Sequence, residues 1–145
     1  MVRLLLFLLF SVFNFHMLLA NRVLADPVVL TIKTTSRNSE WKPSSVVKSG
    51  EPMTWKASAP GMTDQIITTT AEPVFNLALP RSSADATIEV TSPDGADNFI
   101  ELKVNSLNII ILDLSGATGL QTLSCTDNQL RELSVQTNIK LQALF

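Results

Sequence analysis

The C-terminal third of this chain repeats itself every 21 residues, and that fixed period restricts the folds open to it more than any other feature of the sequence. One period before Leu120, Leu123, Cys125, Leu130, Leu133 and Val135 stand Phe99, Leu102, Val104, Ile109, Leu112 and Leu114; one period after Leu120 and Leu123 stand Leu141 and Leu144. Eight apolar matches in register are hard to obtain by chance. A period near twenty marks a coil stacked on copies of itself, each turn burying its apolar residues only against its neighbours.

Within one period Leu123 and Cys125 alternate with Thr122, Ser124 and Thr126, which turns the first pair inward and the other three toward solvent. Asn128 then turns the chain, and its amide both donates and accepts, so it suits the backbone groups left unpaired where a strand ends. The spacing Leu120-x-x-Leu123-x-Cys125-x-x-Asn128-x-Leu130, echoed by Leu130-x-x-Leu133-x-Val135-x-x-Asn138, resembles the 21-residue leucine-rich repeats of secreted bacterial proteins. The resemblance covers the last third of the chain and implies the start of a leucine-rich-repeat solenoid over residues 98–145, capped by residues 26–97, whose own pattern reads as a small N-terminal meander or sandwich-like unit, so that the expected fold is mainly β. About two coils and the opening of a third are present. Leu107 and Ala117 depart from the pattern, standing where the first coil needs its two Asn residues, so that coil is expected to be an entry turn with an incomplete ladder. The third coil opens at Leu141 and the pattern stops at Phe145, from which an N-terminal fragment of a longer repeat protein is expected, with end-to-end self-association through the open coil.

At the other end, Arg3 precedes an apolar run from Leu4 to Phe13, continued by Phe15 and Met17 to Ala20 and closed by Val23-Leu24-Ala25. One leading charge, an apolar centre and small residues at the closing positions are the pattern of a signal peptide over residues 1–25, cut after Ala25. A retained membrane anchor suits the segment less well, because Asn14 and His16 interrupt a run already marginal for spanning a hydrocarbon layer about 30 Å thick. The expected location is therefore secreted or cell-surface, with no membrane contact after cleavage.

Cleavage leaves 120 residues with nine basic and thirteen acidic side chains, a net charge of −4, and removes the only histidine, His16. With no His, no Tyr and one Cys, the mature chain supplies neither a Ser-His-Asp or Cys-His nucleophile pair nor a zinc site of the His or multiple-Cys kind. No catalytic residue, metal ligand or cofactor site is read from it. An acidic chain without a basic cluster also argues against nucleic acid as a partner.

From Pro27 to Asp97 short apolar alternations are broken by turn residues. Val28, Leu30 and Ile32, then Met53, Trp55 and Ala57, then Phe75, Leu77 and Leu79, then Ile88 and Val90 each predict a half-buried strand. Lys42-Pro43-Ser44-Ser45, Ser49-Gly50-Glu51-Pro52, Ala59-Pro60-Gly61 and Ser92-Pro93-Asp94-Gly95 read as turns. No segment carries a helical period.

Four features invite sharper readings. Trp41 offers an aromatic face for a sugar ring, set against packing over the β unit; packing is preferred, as for Trp55. Asp94-Gly95-Ala96-Asp97 has two carboxylates but not the ligand spacing of a calcium loop, and reads as an acidic turn. Cys125, on the inward row, reads as a small buried apolar residue rather than a reactive thiol. Glu101, Asp113 and Glu132 suggest a glycosidase pair only if a pocket surrounds two of them, and a solvated face is preferred.

Function then rests on architecture. The expected binding face consists of the solvent-facing columns Glu101-Thr122-Ala143, Lys103-Ser124-Phe145 and Asn105-Thr126, with Leu120, Leu123, Cys125, Asn128, Leu130, Leu133, Val135 and Asn138 as its structural support. The expected partner is an extracellular protein or glycan. Two alternatives remain open: a non-catalytic leading portion of a longer secreted hydrolase, and a structural or adhesive envelope component. The intact mass of the exported protein should correspond to a chain beginning at Asp26; recovery of a membrane-bound form retaining Met1 to Ala25 overturns the signal-peptide assignment.

Overall fold

The computed structural model describes residues 26–81 and 83–145, so the expected signal peptide lies outside the described residues. Runs with a two-residue apolar period become strands, because alternation places every second side chain on one face of an extended backbone. Nine strands follow in chain order: β1 (Val28–Thr34), β2 (Ser45–Lys48), β3 (Met53–Ser58), β4 (Gln65–Thr69), β5 (Ala86–Thr91), β6 (Phe99–Lys103), β7 (Ile109–Asp113), β8 (Thr122–Ser124) and β9 (Ala143–Leu144). No helix occurs among the described residues. The protein is mainly β, built as two open sheets.

The first sheet has the order β4-β3-β5-β1-β7 and the second β2-β6-β8-β9. All pairings in the first are antiparallel, as is β2 with β6, whereas β6-β8 and β8-β9 are parallel. The parallel registers are Glu101 with Thr122, Thr122 with Ala143 and Leu123 with Leu144, each a step of 21 residues. Each sheet draws strands from both sides of residue 97: β7 closes onto β1, and β2 onto β6. The N-terminal part is thus not a meander. β2 leaves for the other sheet, and β1 takes β5 and β7 as neighbours.

One continuous apolar cluster lies under both sheets. Leu30, Ile32, Met53, Trp55, Ala57, Ile88 and Val90 come from the first sheet, and Val46, Phe99, Leu102 and Leu123 from the second. Val104, Ile109, Leu112, Leu114, Ala117 and Leu120 join it from the connecting turns and β7. Two details correct the sequence expectations. In β1 the register shifts between Val28 and Leu30, so Val29 is buried and Val28 exposed; the bulge inserts one residue and reverses the phase of the alternation there. Phe75, Leu77 and Leu79 form no strand: Phe75 makes a single antiparallel bridge to Trp41, Phe75 and Leu77 are buried, and Leu79 is half-buried. The turn residue Pro80 follows directly, and the side chain of Gln65 occupies the backbone of Asn76, accepting from its N–H at 2.9 Å and donating to its C=O at 2.7 Å.

Trp41 is fully buried, its ring centroid 6.2 Å from that of Phe75, so it offers no platform at the surface. The turn at Asp94 anchors a buried cation. Lys48 Nζ, with a fully buried side chain, donates to Asp94 Oδ1 at 2.8 Å, Ser49 O at 3.0 Å and Glu51 O at 2.6 Å, which uses all three of its protons. Lys48, Ser92 and Asn98 beside Asp94 hold its carboxyl well below the usual carboxylate range. Gly50, at φ 83°, passes so close that a Cβ would meet Asp94 Oδ2.

Where the two parts meet, backbones touch. A Cβ on Gly116 would collide with Val28 O, and one on Gly119 would collide with Ala96 O and Asp97 O. One period later the equivalent positions are Thr137 and Lys140, and Lys140 reaches the same turn with its side chain, its Nζ lying 3.3 Å from Asp97 Oδ1. Replacing Gly116 or Gly119 with Ala meets backbone atoms and should destabilise toward or beyond the upper end of the about 1–3 kcal/mol usual for overpacking, while Gly61→Ala has open space at its Cβ and bears only the strain of a φ of 81°, about 1–2 kcal/mol. Urea unfolding of the three variants checks the order.

A second outcome concerns acid. Asp94, Glu72, Glu101 and Asp113 are all held below their ordinary values by hydrogen bonds. A carboxyl depressed in the folded state contributes stability that is present above its unfolded value, about 4, and lost as pH falls through the folded one. Chemical unfolding at stepped pH should show stability falling below about pH 4.5, with a shallower fall in Asp94→Asn.

Candidate functional site

The face expected from the sequence is the outer side of the second sheet. β6 holds it in place because Leu102 is buried between Glu101 and Lys103, whose side chains leave on the opposite side. The neighbouring rows are Val47-Glu101-Thr122-Ala143 and Ser45-Lys103-Ser124, so β2 extends the face by one strand. Ser45 and Val47 escaped the sequence reading. The only signal was the alternation Ser45-Val46-Val47-Lys48, four residues wedged between turn residues, with Val46 and Lys48 buried.

Much of the polarity on this face is internally satisfied. Ser45 Oγ donates to Glu101 Oε1 at 2.6 Å and Lys103 Nζ lies 3.1 Å from Glu101 Oε2; Ser45 first and then Lys103 hold the Glu101 carboxyl below its ordinary value. Asn105 Oδ1 accepts from Ser124 Oγ and from Thr126 N, both at 2.9 Å. Of the eight residues expected to face solvent, Thr126 and Phe145 are exposed, and Glu101, Lys103, Asn105, Thr122 and Ala143 are half-exposed.

Ser124 is a correction. It is buried, at 6% exposure, because its short side chain sits on a strand paired on both sides and its hydroxyl turns to Asn105. Cys125, expected buried, is half-buried, and burial pushes its thiol up, so less of it is thiolate and its nucleophilicity falls.

The support beneath the face is centred on Asn128. Its Oδ1 accepts from Leu107 N and Ile109 N, both at 3.0 Å, while its Nδ2 donates to Val104 O at 2.6 Å, Cys125 O at 2.9 Å and Thr126 O at 3.2 Å. One amide thus joins two successive turns of the pattern. Asn138 does the same with one hand: Nδ2 donates to Leu114 O at 3.0 Å and Ala117 O at 2.8 Å, and its buried Oδ1 has no partner among the described residues. Leu120 and Leu123 are fully buried, whereas Leu130, Leu133, Val135 and Leu141 are half-buried and Leu144 is 49% exposed.

A second concavity lies on the other flank. A groove of about 580 Å³ runs between β7 and residues 131–137, lined by Ile110, Leu112, Asp113, Arg131, Glu132 and Leu133 among others. Of the three carboxylates weighed as a pair, Asp113 and Glu132 line one groove, both exposed to solvent, while Glu101 lies on the other sheet. Asp113 Oδ1 accepts from Ser115 N at 2.9 Å, and that bond lowers its pKa, so it is no proton donor near neutrality. No group of three or more His, Cys, Asp or Glu side chains suited to a metal ion occurs among the described residues.

No family model matches this chain, and neither the curated proteins nor the solved structures contain a match.

The site's architecture sets a ranking. Leu123→Ala opens a cavity between strands and should cost about 2–5 kcal/mol. Asn128→Ala strands backbone groups on two turns and should cost at least about 1–3 kcal/mol. Ser124→Ala, which loses one bond to Asn105, should cost about 0.5–1.5 kcal/mol rather than nothing. Thermal melts of the three variants check the order.

Proposed function

We propose that the chain is exported and acts as a secreted or cell-surface recognition module, without catalysis, and that residues 98–145 begin a leucine-rich-repeat solenoid of the kind found in secreted bacterial proteins. The observation that carries this is the parallel ladder β6-β8-β9, stepping by 21 residues, with Asn128 bonded across two turns. A ladder of that kind builds a stiff surface from short side chains, and extended rigid surfaces are what stacked repeats offer a partner. The signal-peptide pattern supports an extracellular setting, and the absence of histidine after Ala25 supports binding over acid-base chemistry.

The partner is an extracellular glycan or protein, contacted through Val47, Glu101, Lys103, Thr122, Thr126 and Phe145. Four strands about 4.8 Å apart span roughly 15 Å, and three residues along each add roughly 10 Å. That patch is far smaller than the roughly 800 Å² per partner of an ordinary protein interface, so it fits a glycan or a protruding loop bound weakly and many times over. Thr122 in the middle of the face and Thr126 at its rim present side chains of low conformational entropy.

The test is binding of the exported protein to arrays of extracellular glycans and envelope proteins, compared with Thr122→Lys/Thr126→Lys. Binding by the parent that drops at least about tenfold in the variant, with an unchanged circular-dichroism spectrum, is the expected result. Equal binding by both removes this face from the function.

A further inference from the structure

The last strand of a sheet carries a row of backbone donors and acceptors without partners, and folded chains shield such rows with bulges, charges or covering segments. The two sheets have four edges, β4 and β7 in the first and β2 and β9 in the second. Three of them are occupied or short. On β7, Ile109 N and O already bond Asn128 Oδ1 and Gln129 N, and Leu114 O just beyond accepts from Asn138 Nδ2. On β2, the Glu72 carboxylate accepts from Val46 N at 3.0 Å, and the register with β6 shifts between Val47 and Lys48. β9 has only two residues.

β4 carries none of these protections. It pairs with β3 from Gln65 to Thr69 without a register shift, and among the described residues no segment other than β3 bonds its backbone. The nearby contacts use the Gln65 amide and the Thr69 hydroxyl instead. Gln65-Ile66-Ile67-Thr68-Thr69 holds four β-branched residues and no charge, proline or glycine, the composition that pairs edge to edge most readily. Ile66, 63% exposed, stands on its outer face. We propose that two copies of this chain pair their β4 strands antiparallel about a twofold axis, joining the two five-stranded sheets into one.

Self-complementarity favours a second copy over any other strand. A twofold axis through Ile67 sets Ile67 opposite itself, Ile66 opposite Thr68 of the second copy and Gln65 opposite its Thr69, so no like charges face each other along the strand. The flanking charges are already engaged. Asp64, which falls opposite Thr70, lies 2.8 Å from Lys56 Nζ, and Glu72 holds Val46 N. Five residues run about 17 Å, so the contact stays well below the roughly 800 Å² per partner of an ordinary interface, and the dimer is weak, with a Kd on the order of 0.1 mM. Dimerisation doubles the face on β6, β8 and β9, which strengthens binding to a partner that repeats its motif. The pairing itself stands on β4 alone and does not depend on that recognition.

Sedimentation velocity of the exported protein from about 10 µM to about 1 mM should show monomer passing to dimer and no larger species. Ile66→Glu/Thr68→Glu sets glutamate opposite glutamate at both outer pairs and should weaken the dimer at least about tenfold, whereas Ile66→Glu/Thr68→Lys sets opposite charges there and should hold it within about threefold of the parent. Both positions are exposed and Ile66 lies beside Lys56, so the circular-dichroism spectra should match the parent's. In the parent, amide hydrogen exchange in NMR should slow at least about threefold at alternate residues of β4 as concentration rises through the transition. A monomer at the highest concentration overturns the proposal. So does growth beyond the dimer, association that survives Ile66→Glu/Thr68→Glu or is lost instead in Leu144→Lys at the open coil, or exchange at β4 that does not change as the protein associates.

Discussion

The antiparallel pairing of β1 with β7 is the constraint on which the other contacts depend. Thr31 meets Asp113, Ile32 meets Leu112 and Lys33 meets Ile111, so a segment near the N-terminal end of the described chain is bonded to one about eighty residues later. Thr34 Oγ1 reinforces it by donating to Leu107 O at 2.7 Å and Asn108 O at 3.1 Å. Closing so long a loop is entropically costly, and the buried faces of Ile32, Ile109 and Leu112 offset that cost by leaving water together. Once β1 holds β7, the first turn of the repeated pattern has a template. Gly116 and Gly119 can then lie against the backbone of Val28 and of the Ala96-Asp97 turn, where any side chain would push them off.

Two polar devices finish what apolar burial begins. Lys48 and Asp94 tie β2 to the turn that leads into β6, and since the lysine is sealed from water, loss of the carboxylate would leave an unpaired buried charge. Asn128 acts on the other side of β6. By accepting from Leu107 N and Ile109 N it fixes the bend between β6 and β7, and by donating to Val104 O it fixes its own turn to that bend. The bend is locally strained: Ser106 and Asn108 have φ of 57° and 53°, and Asp127 follows at 56° one period after Ser106. Non-glycine residues stay in that region only where surrounding bonds hold them, and Asn128 supplies those bonds.

The mainly β character of the chain was legible because alternation is a direct record of which face is buried. Met53, Trp55 and Ala57 are buried as their spacing implies, and so are Ile88 and Val90. Legibility ended where neighbours, not sequence, decided. The bulge in β1 reversed Val28 and Val29 because β5 required it, a demand that lies sixty residues away. β2 was hidden because four residues carry too few alternations to stand out between turn signals. β4 was hidden as well: Gln65 to Thr69 is only half-buried, so its two faces differ little in polarity. On the candidate face, the rows across β6, β8 and β9 follow from the period, but exposure does not. Ser124 looks like a surface residue in sequence and is buried because Asn105, nineteen residues earlier, turns its side chain over it.

The two halves of the period differ in how fully each Asn is bonded. Asn128 follows a strand, β8, that is laddered on both sides, so its amide arrives already in register and all of its hydrogen-bonding capacity is used. Asn138 follows residues 130–137, which form no strand although Leu130, Leu133 and Val135 pack half-buried against the core. Its Nδ2 reaches back to Leu114 and Ala117, but its buried Oδ1 has no donor among the described residues. The ladder is therefore continuous through β8 and β9, while on the other flank residues 130–135 form no strand and the link to β7 rests on Gln129 and Asn138.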